Sequence, residues 1–289
     1  MYDIKLLNST DATSFASLTY PILRPRLQAL LPQGNHLAMG IQHQDHPIGL
    51  ILVELINQSS QAEILSLYVA PAFRNQGIAQ QLITNLEQLL PQHRCHQIKL
   101  KYLSSATTPV LERCLAKLGW STPRLRSEVF SGDAKAMQQA PWFNRYPLPN
   151  LFTVFRWQDL TEHDRTQLQT LQYPQELSPF TDPEMLELTT SFGLRYHNHL
   201  VGWVITHRLD CETIRYTSLF VHANLQAVGR AISLLCFAID KQAEQNIPKG
   251  MFMVFAHNQP MLKFVRRRMM PYLSSSRQSW QSQKSLLYG

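Results

Sequence analysis

Two short segments of this chain have the residue types and spacing to hold an anion. They are Arg74-Asn75-Gln76-Gly77-Ile78-Ala79 and Gln226-Ala227-Val228-Gly229-Arg230-Ala231, both of the form [Arg/Gln]-x-x-Gly-x-Ala. Each follows an apolar run, Leu67-Tyr68-Val69 or Leu219-Phe220-Val221, and each leads into a stretch with helical spacing. A strand that turns into a helix in this way presents convergent backbone N–H groups, and the helix dipole adds positive character. Glycine in the turn lets the backbone come close to a phosphate. One copy of so short a pattern is equally an ordinary strand-to-helix turn; two copies at corresponding places carry more weight.

The two copies belong to a longer repeat. Pro47-Ile48-Gly49-Leu50-Ile51-Leu52-Val53 is echoed by Leu200-Val201-Gly202-Trp203-Val204-Ile205-Thr206, with Gly49 and Gly202 separated by 153. Ser66-Leu67-Tyr68-Val69 is echoed by Ser218-Leu219-Phe220-Val221, and Arg74 by Gln226, both at an offset of 152. Matches in one order at one spacing predict a duplicated domain.

The elements that must position these loops follow from periodicity. Strands are predicted at 2–7 and 152–157, and hairpins over 36–42 with 47–55 and over 193–197 with 200–207. A strand at 63–69 feeds the first loop, and Ile78, Leu82, Ile83, Leu86, Leu89 and Leu90 then mark a helix. A strand at 97–102 and a helix over 107–118, stopped by Gly119, follow. The second half repeats this with a helix at 229–243, a strand at 250–256 and a helix at 259–269. The order β-α-β-β-β-α-β-α predicts an α+β fold of two tandem domains, each a mixed, mostly antiparallel sheet flanked by helices. The expected division is a first domain over 1–135, an ordered linker over 136–150 and a diverged second domain over 151–289. Trp142, Phe143 and Tyr146 of the linker are expected to pack against something.

Composition sets outer limits. Of the 289 residues, 44% are apolar, enough for packed cores. The N-terminal residues lack a signal-peptide pattern and no run is apolar enough to span a membrane, so a cytoplasmic protein is expected. The cysteines at 95, 114, 211 and 236 include no C-x-x-C pair and are read as reduced, mostly buried thiols. The net charge of +7 suits an anionic partner. Charged residues make up only 16%, however, and the one dense basic run, Arg266-Arg267-Arg268, reads as a solvated helix end. Histidine pairs at 43/46 and 197/199 lack a third ligand at useful spacing, so no metal is expected.

The segment Leu67-Tyr68-Val69-Ala70-Pro71-Ala72-Phe73-Arg74-Asn75-Gln76-Gly77-Ile78-Ala79 resembles the acetyl-CoA-binding motif of the GNAT superfamily, and the elements around it fall in that family's order. The resemblance implies an acyl-CoA-dependent N-acyltransferase, with acetyl-CoA as the donor, acting by direct transfer on a primary amine of a small molecule or peptide. It implies that Gln76, Gly77, Ile78 and Ala79, with Arg74 and Asn75, hold the pyrophosphate. Tyr68 and Val69 would line the pantetheine arm, and the amide near Val69 would polarise the thioester as an oxyanion donor. In the second half Gln226, Gly229, Ala231 and the later Asn258 match the pattern, while the usual proline and arginine are missing; the first half carries Thr108 where Asn258 falls.

Acyl transfer needs a neutral amine, whereas a free lysine-type amine titrates near ~10.4, so a base must take a proton. By the resemblance the base is Glu63, at 74 − 63 = 11 residues before Arg74, with Glu54 on the preceding strand as second candidate. The corresponding residue of the second half is Arg215, which cannot act as a base; His207 and Tyr216 are its remaining titratable neighbours. The tyrosine that serves as acid in the family is replaced by Leu115 in the first half, beside Cys114, and by Val265 in the second. That gap motivates an alternative, a non-catalytic acyl-CoA-binding regulatory or scaffold protein; a second alternative houses catalysis in the C-terminal domain. Arg24-Pro25-Arg26 lies where acceptor pockets form in the family. No membrane or nucleic-acid partner is expected.

Overall fold

The computed structural model describes residues 3–31, 34–56, 59–226 and 229–286. Ala227 and Val228 of the second loop, and Tyr2 of the first predicted strand, lie outside the described residues. The chain divides into two compact units, Met1–Arg126 with Gln278–Gly289, and Ser127–Arg277.

In the first unit β1 (Asp3–Leu6), α1 (Ser9–Phe15) and α2 (Arg24–Gln28) precede the long β2 (His36–His43), β3 (His46–Ile56) and β4 (Gln61–Val69). Then come α3 (Ile78–Leu89), β5 (Gln97–Leu103) and α4 (Thr108–Lys117). The β2–β3 hairpin turns through Gln44 and Asp45, both with positive φ, as a two-residue turn between twisted strands requires. The predicted stripe of α3, Ile78, Leu82, Ile83 and Leu86, is buried against Met39, Ile41, Ile51, Val53 and Ile64 on one face of the sheet. Phe15 of α1 and Leu27 of α2 cover Ala38, Leu50 and Leu52 on the other face.

The second unit takes in β6 (Arg124–Asp133) from Ser127 onward, α5 (Ala134–Gln138), β7 (Phe152–Arg156), α6 (Glu162–Thr170), β8 (Phe192–Tyr196), β9 (His199–Arg208) and β10 (Thr213–Val221). It continues with α7 (Arg230–Glu244), β11 (Lys249–Phe255) and α8 (Gln259–Phe264), which runs on as a π-helical turn over Val265–Met269. The last strand is β12 (Leu273–Ser285).

Strand order is β1-β2-β3-β4-β5-β12 in the first unit and β6-β11-β10-β9-β8-β7 in the second. All pairs are antiparallel except β4 with β5 and β10 with β11. The α+β class and the tandem arrangement are those expected. The boundaries lie elsewhere than 135 and 151, because residues from Ser127 to Asn150 group with the second unit and the segment from Gln278 groups with the first.

Both strands responsible escaped the sequence reading. Most of β12, LSSSRQSWQSQKS, is serine and glutamine, so local pattern does not mark it as a strand. Its partners define it instead: it pairs with β5 from Ser279–Leu103 to Ser285–Gln97, and Ser282 Oγ donates to the Ser121 carbonyl at 2.6 Å. Lys284 adds an ion pair with Glu87 of α3 at 2.5 Å.

No helix among the described residues is long and apolar enough to cross a membrane. Cys95 and Cys236 are buried, Cys114 is half-buried, and Cys211 is exposed, unlike the mostly buried set expected.

A buried ion pair ties down the start of α6. Thr161 and Asp164 form a capping box, and Asp164 also accepts from Arg195 Nε at 2.9 Å and from its Nη2 at 2.5 Å. Burial by itself pushes the Asp164 carboxyl up, but the hydrogen bonds from Arg195 and Thr161 outweigh it and hold the group at about 2. Its folded value lies below its ordinary 3.8, so its stabilisation is complete above that pH and is lost as pH falls towards 2. Asp164→Ala should destabilise the protein at neutral pH by about 3 kcal/mol or more, because it leaves Arg195 without its buried partner. Denaturant unfolding curves with an unchanged midpoint would refute this.

Candidate active site

The site starts from a defect in a strand. Between Leu52↔Ser66 and Val53↔Ile64 the β3–β4 register shifts, so Leu65 is an extra residue. Parallel pairing of β4 with β5 runs from Gln61↔Gln97 to Ile64↔Leu100 and goes no further. A bulge bends its strand and interrupts the ladder, and here it coincides with the point where the two parallel strands part. Ala70 N–H donates to the Ile48 carbonyl at 2.8 Å. Alternation along an antiparallel pair then turns the peptide groups of Leu67 and Val69 away from β3, towards the opened side. Arg74 Nε donates to the Val69 carbonyl from that side at 3.0 Å. The N–H groups of Leu67 and Val69 thus run along an opened edge that can receive an extended ligand as an added strand.

A cavity of about 700 Å³ lies at this edge, between the end of β4, the start of α3 and one face of α4. Of the residues assigned to the cofactor from sequence, Tyr68, Val69, Arg74, Asn75, Gly77, Ile78 and Ala79 line it. Gln76 does not, and its side-chain amide instead donates to the Ala72 carbonyl at 3.3 Å. Gly77 caps α3 in the left-handed conformation, φ 80°, and no side chain caps that helix start. A Cβ on Gly77 would meet nothing within 4 Å, and the first-turn amides of α3 have no side-chain cap. The Arg74 guanidinium carbon stands 5.9 Å from the centroid of the Tyr68 ring.

The candidate base lies on the other face of the sheet. Ala62 and Ile64 pack towards α3 and Leu65 towards α1 and α2, so alternation puts Glu63 on the α1–α2 face. Register places His36, Glu54, Glu63 and Lys99 in one row across β2, β3, β4 and β5. Glu63 is ion-paired with Lys101 at 2.7 Å and its side chain is 19% exposed. Glu54 is more open, with Arg26 at 3.9 Å and His36 at 3.7 Å. Burial pushes His36 down, the neighbouring Glu54 opposes this, and Arg26 adds to it.

Leu115, at the position of the family's acid, is a core residue, 1% exposed. Its neighbour Cys114 lines the cavity; burial pushes its thiol up, with Lys117 opposing. Thr108 accepts from the Ser105 N–H at 2.8 Å. Tyr102 donates to Glu112 at 2.8 Å, and burial together with that carboxylate pushes its hydroxyl far up.

The second unit repeats the backbone and closes the site. Its β9–β10 register shifts between Tyr216 and Ser218, and parallel pairing of β10 with β11 ends at Tyr216↔Phe252. His222 N–H donates to the Val201 carbonyl as Ala70 does to Ile48, and Gln226 Nε2 donates to the Val221 carbonyl at 2.7 Å as Arg74 does to Val69. The [Arg/Gln] of the repeated pattern therefore has a shared structural task, holding the last carbonyl of the strand.

Gly229 has the same φ as Gly77, 81°, but a Cβ there would lie 2.9 Å from Cγ of Tyr146. The Tyr146 carbonyl accepts from Ser233 Oγ of α7, and Arg230 lies 5.0 Å over the Phe152 ring. Trp142 is buried and donates from its indole to the Arg268 carbonyl at 2.8 Å. Ala231 packs beside Leu234 and Val204, and Asn258 caps α8 by accepting from Met261 N–H at 3.2 Å.

On the other face of the second unit His207 stands where Glu54 does and Arg215 where Glu63 does. His207 is fully buried, Nε2 at 2.8 Å from the Thr181 carbonyl and Nδ1 at 2.5 Å from the Thr217 hydroxyl. Arg215 donates to Asp182 at 2.7 Å, while Trp203 Nε1 and Ser218 Oγ both donate to the Leu177 carbonyl. The segment from Leu177 to Asp182 thus occupies this face. Val265, at the second tyrosine position, is fully buried. Among the described residues no group of three or more His, Cys, Asp or Glu is placed to hold a metal ion.

Residues 5–119 match the acetyltransferase (GNAT) family. The whole chain shares its fold with a tandem GNAT protein from the clavulanic acid biosynthesis pathway, at 12% identity and a TM-score of 0.72, covering 100% of both chains. It is also similar to a GCN5-related N-acetyltransferase from Sphaerobacter thermophilus, at 14% identity and a TM-score of 0.69, covering 100% of this chain and 96% of the other. No curated protein matches the sequence. The family match takes in the first unit's residues 5–119, and the structural likeness shows that the whole chain has the fold of tandem GNAT proteins.

The buried His207 generates a pH dependence. Its Nε2 faces a carbonyl and so carries the proton, which leaves Nδ1 to accept from Thr217. Burial, then Arg215, lowers its pKa from 6.5. A folded value below the unfolded one means that stability is complete above that range and is lost as pH falls through the lowered value. His36 acts with the same sign. The denaturant midpoint should therefore fall between about pH 7 and pH 5, and His207→Gln should flatten part of that slope. An identical slope in the variant would rule His207 out as a source.

Proposed function

We propose that the first unit binds acetyl-CoA and transfers its acetyl group to a primary amine of a small molecule or peptide, and that the second unit is a closed copy without a cofactor. The observation that carries this reading is the contrast between the two loop glycines. Gly77 opens on a 700 Å³ cavity with nothing near its missing Cβ, whereas Tyr146 lies across Gly229. In this reading the pyrophosphate rests on the amides around Gly77, the pantetheine arm runs along the Leu67–Val69 edge, and the thioester reaches the gap that opens at Leu65. The Val69 or Leu67 amide polarises the thioester carbonyl.

The gap leads to the face that holds Glu63 and Glu54. Glu63 takes the proton of the acceptor ammonium, directly or through a water, and Glu54 beside it supports the positive charge. The amine nitrogen attacks the carbonyl carbon, the C–S bond breaks, and the leaving thiolate takes a proton. Cys114 lines the same cavity, but burial pushes its thiol up and makes it a poorer acid, so the proton comes from solvent. Gln226, Gly229, Ala231 and Asn258 have no cofactor role here and serve the second unit's own folding.

Calorimetric titration with acetyl-CoA tests the assignment. Gly77→Asp keeps the left-handed turn accessible, since Asp tolerates it, and puts a carboxylate where the phosphate belongs. It should abolish binding, while Gly229→Asp should leave near-stoichiometric binding intact. The reverse pattern would move the site to the second unit. Glu63→Gln should lower kcat by about 10²–10⁴ with little change in CoA affinity; unchanged turnover between about pH 6 and pH 9 would remove Glu63 from the mechanism.

A further inference from the structure

The face that holds Glu63 carries more permanent cations than carboxylates. Register puts Glu54, Glu63 and Lys99 in one row, and Lys101 lies two residues further along β5 on the same face. Gln283 and Gln281 of β12 stand opposite Lys99 and Lys101 and add amides without charge. Two carboxylates, Glu54 and Glu63, are thus surrounded by three cations, Arg26, Lys99 and Lys101. The pairing is uneven. Lys101 holds Glu63 at 2.7 Å, whereas Arg26 stands 3.9 Å from Glu54. Lys99 has no carboxylate within ion-pair distance among the described residues; its ammonium donates to the Gln61 side-chain oxygen at 2.6 Å. Lys99 and Lys101 are half-buried, so solvent screens their charge only in part.

An acceptor whose only charge is its ammonium fits this face poorly, because on its way to Glu63 it meets Lys101 and Lys99 with like sign. An acceptor with a carboxylate beside the amine fits it well: the amine goes to Glu63 and the carboxylate takes Lys101 and Lys99. The second unit displays such an occupant built from its own chain. His207 and Arg215 stand there in the places of Glu54 and Glu63; the Thr181 carbonyl accepts from His207 Nε2 at 2.8 Å and the Asp182 carboxylate from Arg215 at 2.7 Å. A carboxylate thus meets the cation of that row in the second unit, and in the first unit the described residues offer none to Lys99. We propose that the acceptor of the first unit is a free α-amino acid, with Lys101 and Lys99 as the binding residues for its carboxylate. The inference rests on the first unit transferring an acetyl group with Glu63 as base. Glu63 and Lys101 are in contact, so the two acceptor groups that engage them must be close neighbours, as in an α-amino acid. Lys101 occupies Glu63 until the acceptor carboxylate draws it away, and the acceptor ammonium then takes its place. Glu63 removes one proton, the nitrogen attacks the thioester carbon, and the C–S bond breaks. The thiolate takes a proton from solvent, and the product is an N-acetyl amino acid with its carboxylate intact.

The test uses the full chain, acetyl-CoA, and the common α-amino acids, each paired with its α-carboxamide. Release of the CoA thiol is followed at one fixed ionic strength. At least one amino acid should be acetylated with a kcat/KM about tenfold or more above that of its carboxamide, the effect of one charge-assisted contact set. Lys101→Met should bring that ratio near unity, and Lys99→Met should shrink it, chiefly through KM. Lys101→Arg should restore it in part. Misfolding would lower both members of a pair together, so the ratio separates recognition from folding. Acetyl-CoA bound by calorimetry, with no amino acid preferred over its carboxamide, would overturn the proposal and leave the acyl-CoA reading standing. A preference that survives in the Lys99→Met, Lys101→Met double variant would overturn it too. Failure of wild type to bind acetyl-CoA would overturn both readings together.

Discussion

The fold turns on one misfit between strands. Leu65 in β4 and Thr217 in β10 are each one residue too many for the neighbouring antiparallel strand, and each parallel pairing ends beside them. Buried peptide groups must find partners, so a strand whose edge is opened inside a domain is costly unless something fills it. In the first unit the edge from Leu67 to Val69 borders a cavity. The bulge therefore leaves the N–H groups of Leu67 and Val69 along an edge that no neighbouring strand takes up. The residues of the Gly77 loop lie towards α3 and α4, and Glu63 and Glu54 lie on the face of α1 and α2.

The two copies show how little is needed to keep this backbone and lose its opening. Arg74 and Gln226 make the same hydrogen bond to the same carbonyl, and Gly77 and Gly229 have the same dihedral angles. What differs is occupancy. Tyr146 lies over the second glycine, and the segment around Leu177, Thr181 and Asp182 satisfies Trp203, Ser218, His207 and Arg215 on the opposite face. In the second unit the corresponding polar groups are enclosed by that segment, whereas Glu54 and Glu63 of the first unit stay partly exposed.

Charge follows the same division. In the first unit the row His36, Glu54, Glu63 and Lys99 stays partly exposed and is balanced by Arg26 and Lys101. In the second unit the corresponding His207 is neutral and fully enclosed. A buried neutral imidazole between a hydroxyl and a carbonyl stabilises a packed domain at neutral pH, and it has no free face for chemistry.

Much of this was legible in the residues themselves. The repeat, the α+β class, the α3 stripe and the positions of both loops follow from spacing and periodicity, because these are local properties of a chain with a 2.0 or 3.6 residue period. Arg74 and Gly77 were nameable from the repeated loop pattern, whereas Glu63 and Glu54 were nameable through the resemblance to the GNAT superfamily, counted along the chain from Arg74. Tertiary structure decided the rest. The strand state of the serine- and glutamine-rich β12 depends on a partner, β5, some 180 residues away in sequence. The exclusion of Gln76 from the cavity, the seating of Tyr146 on Gly229 and the pairing of Lys101 with Glu63 are contacts across space. Two glycine loops can read alike as sequence because the turn is local; whether such a loop is open or filled depends on which distant side chain arrives there, and no local period encodes that.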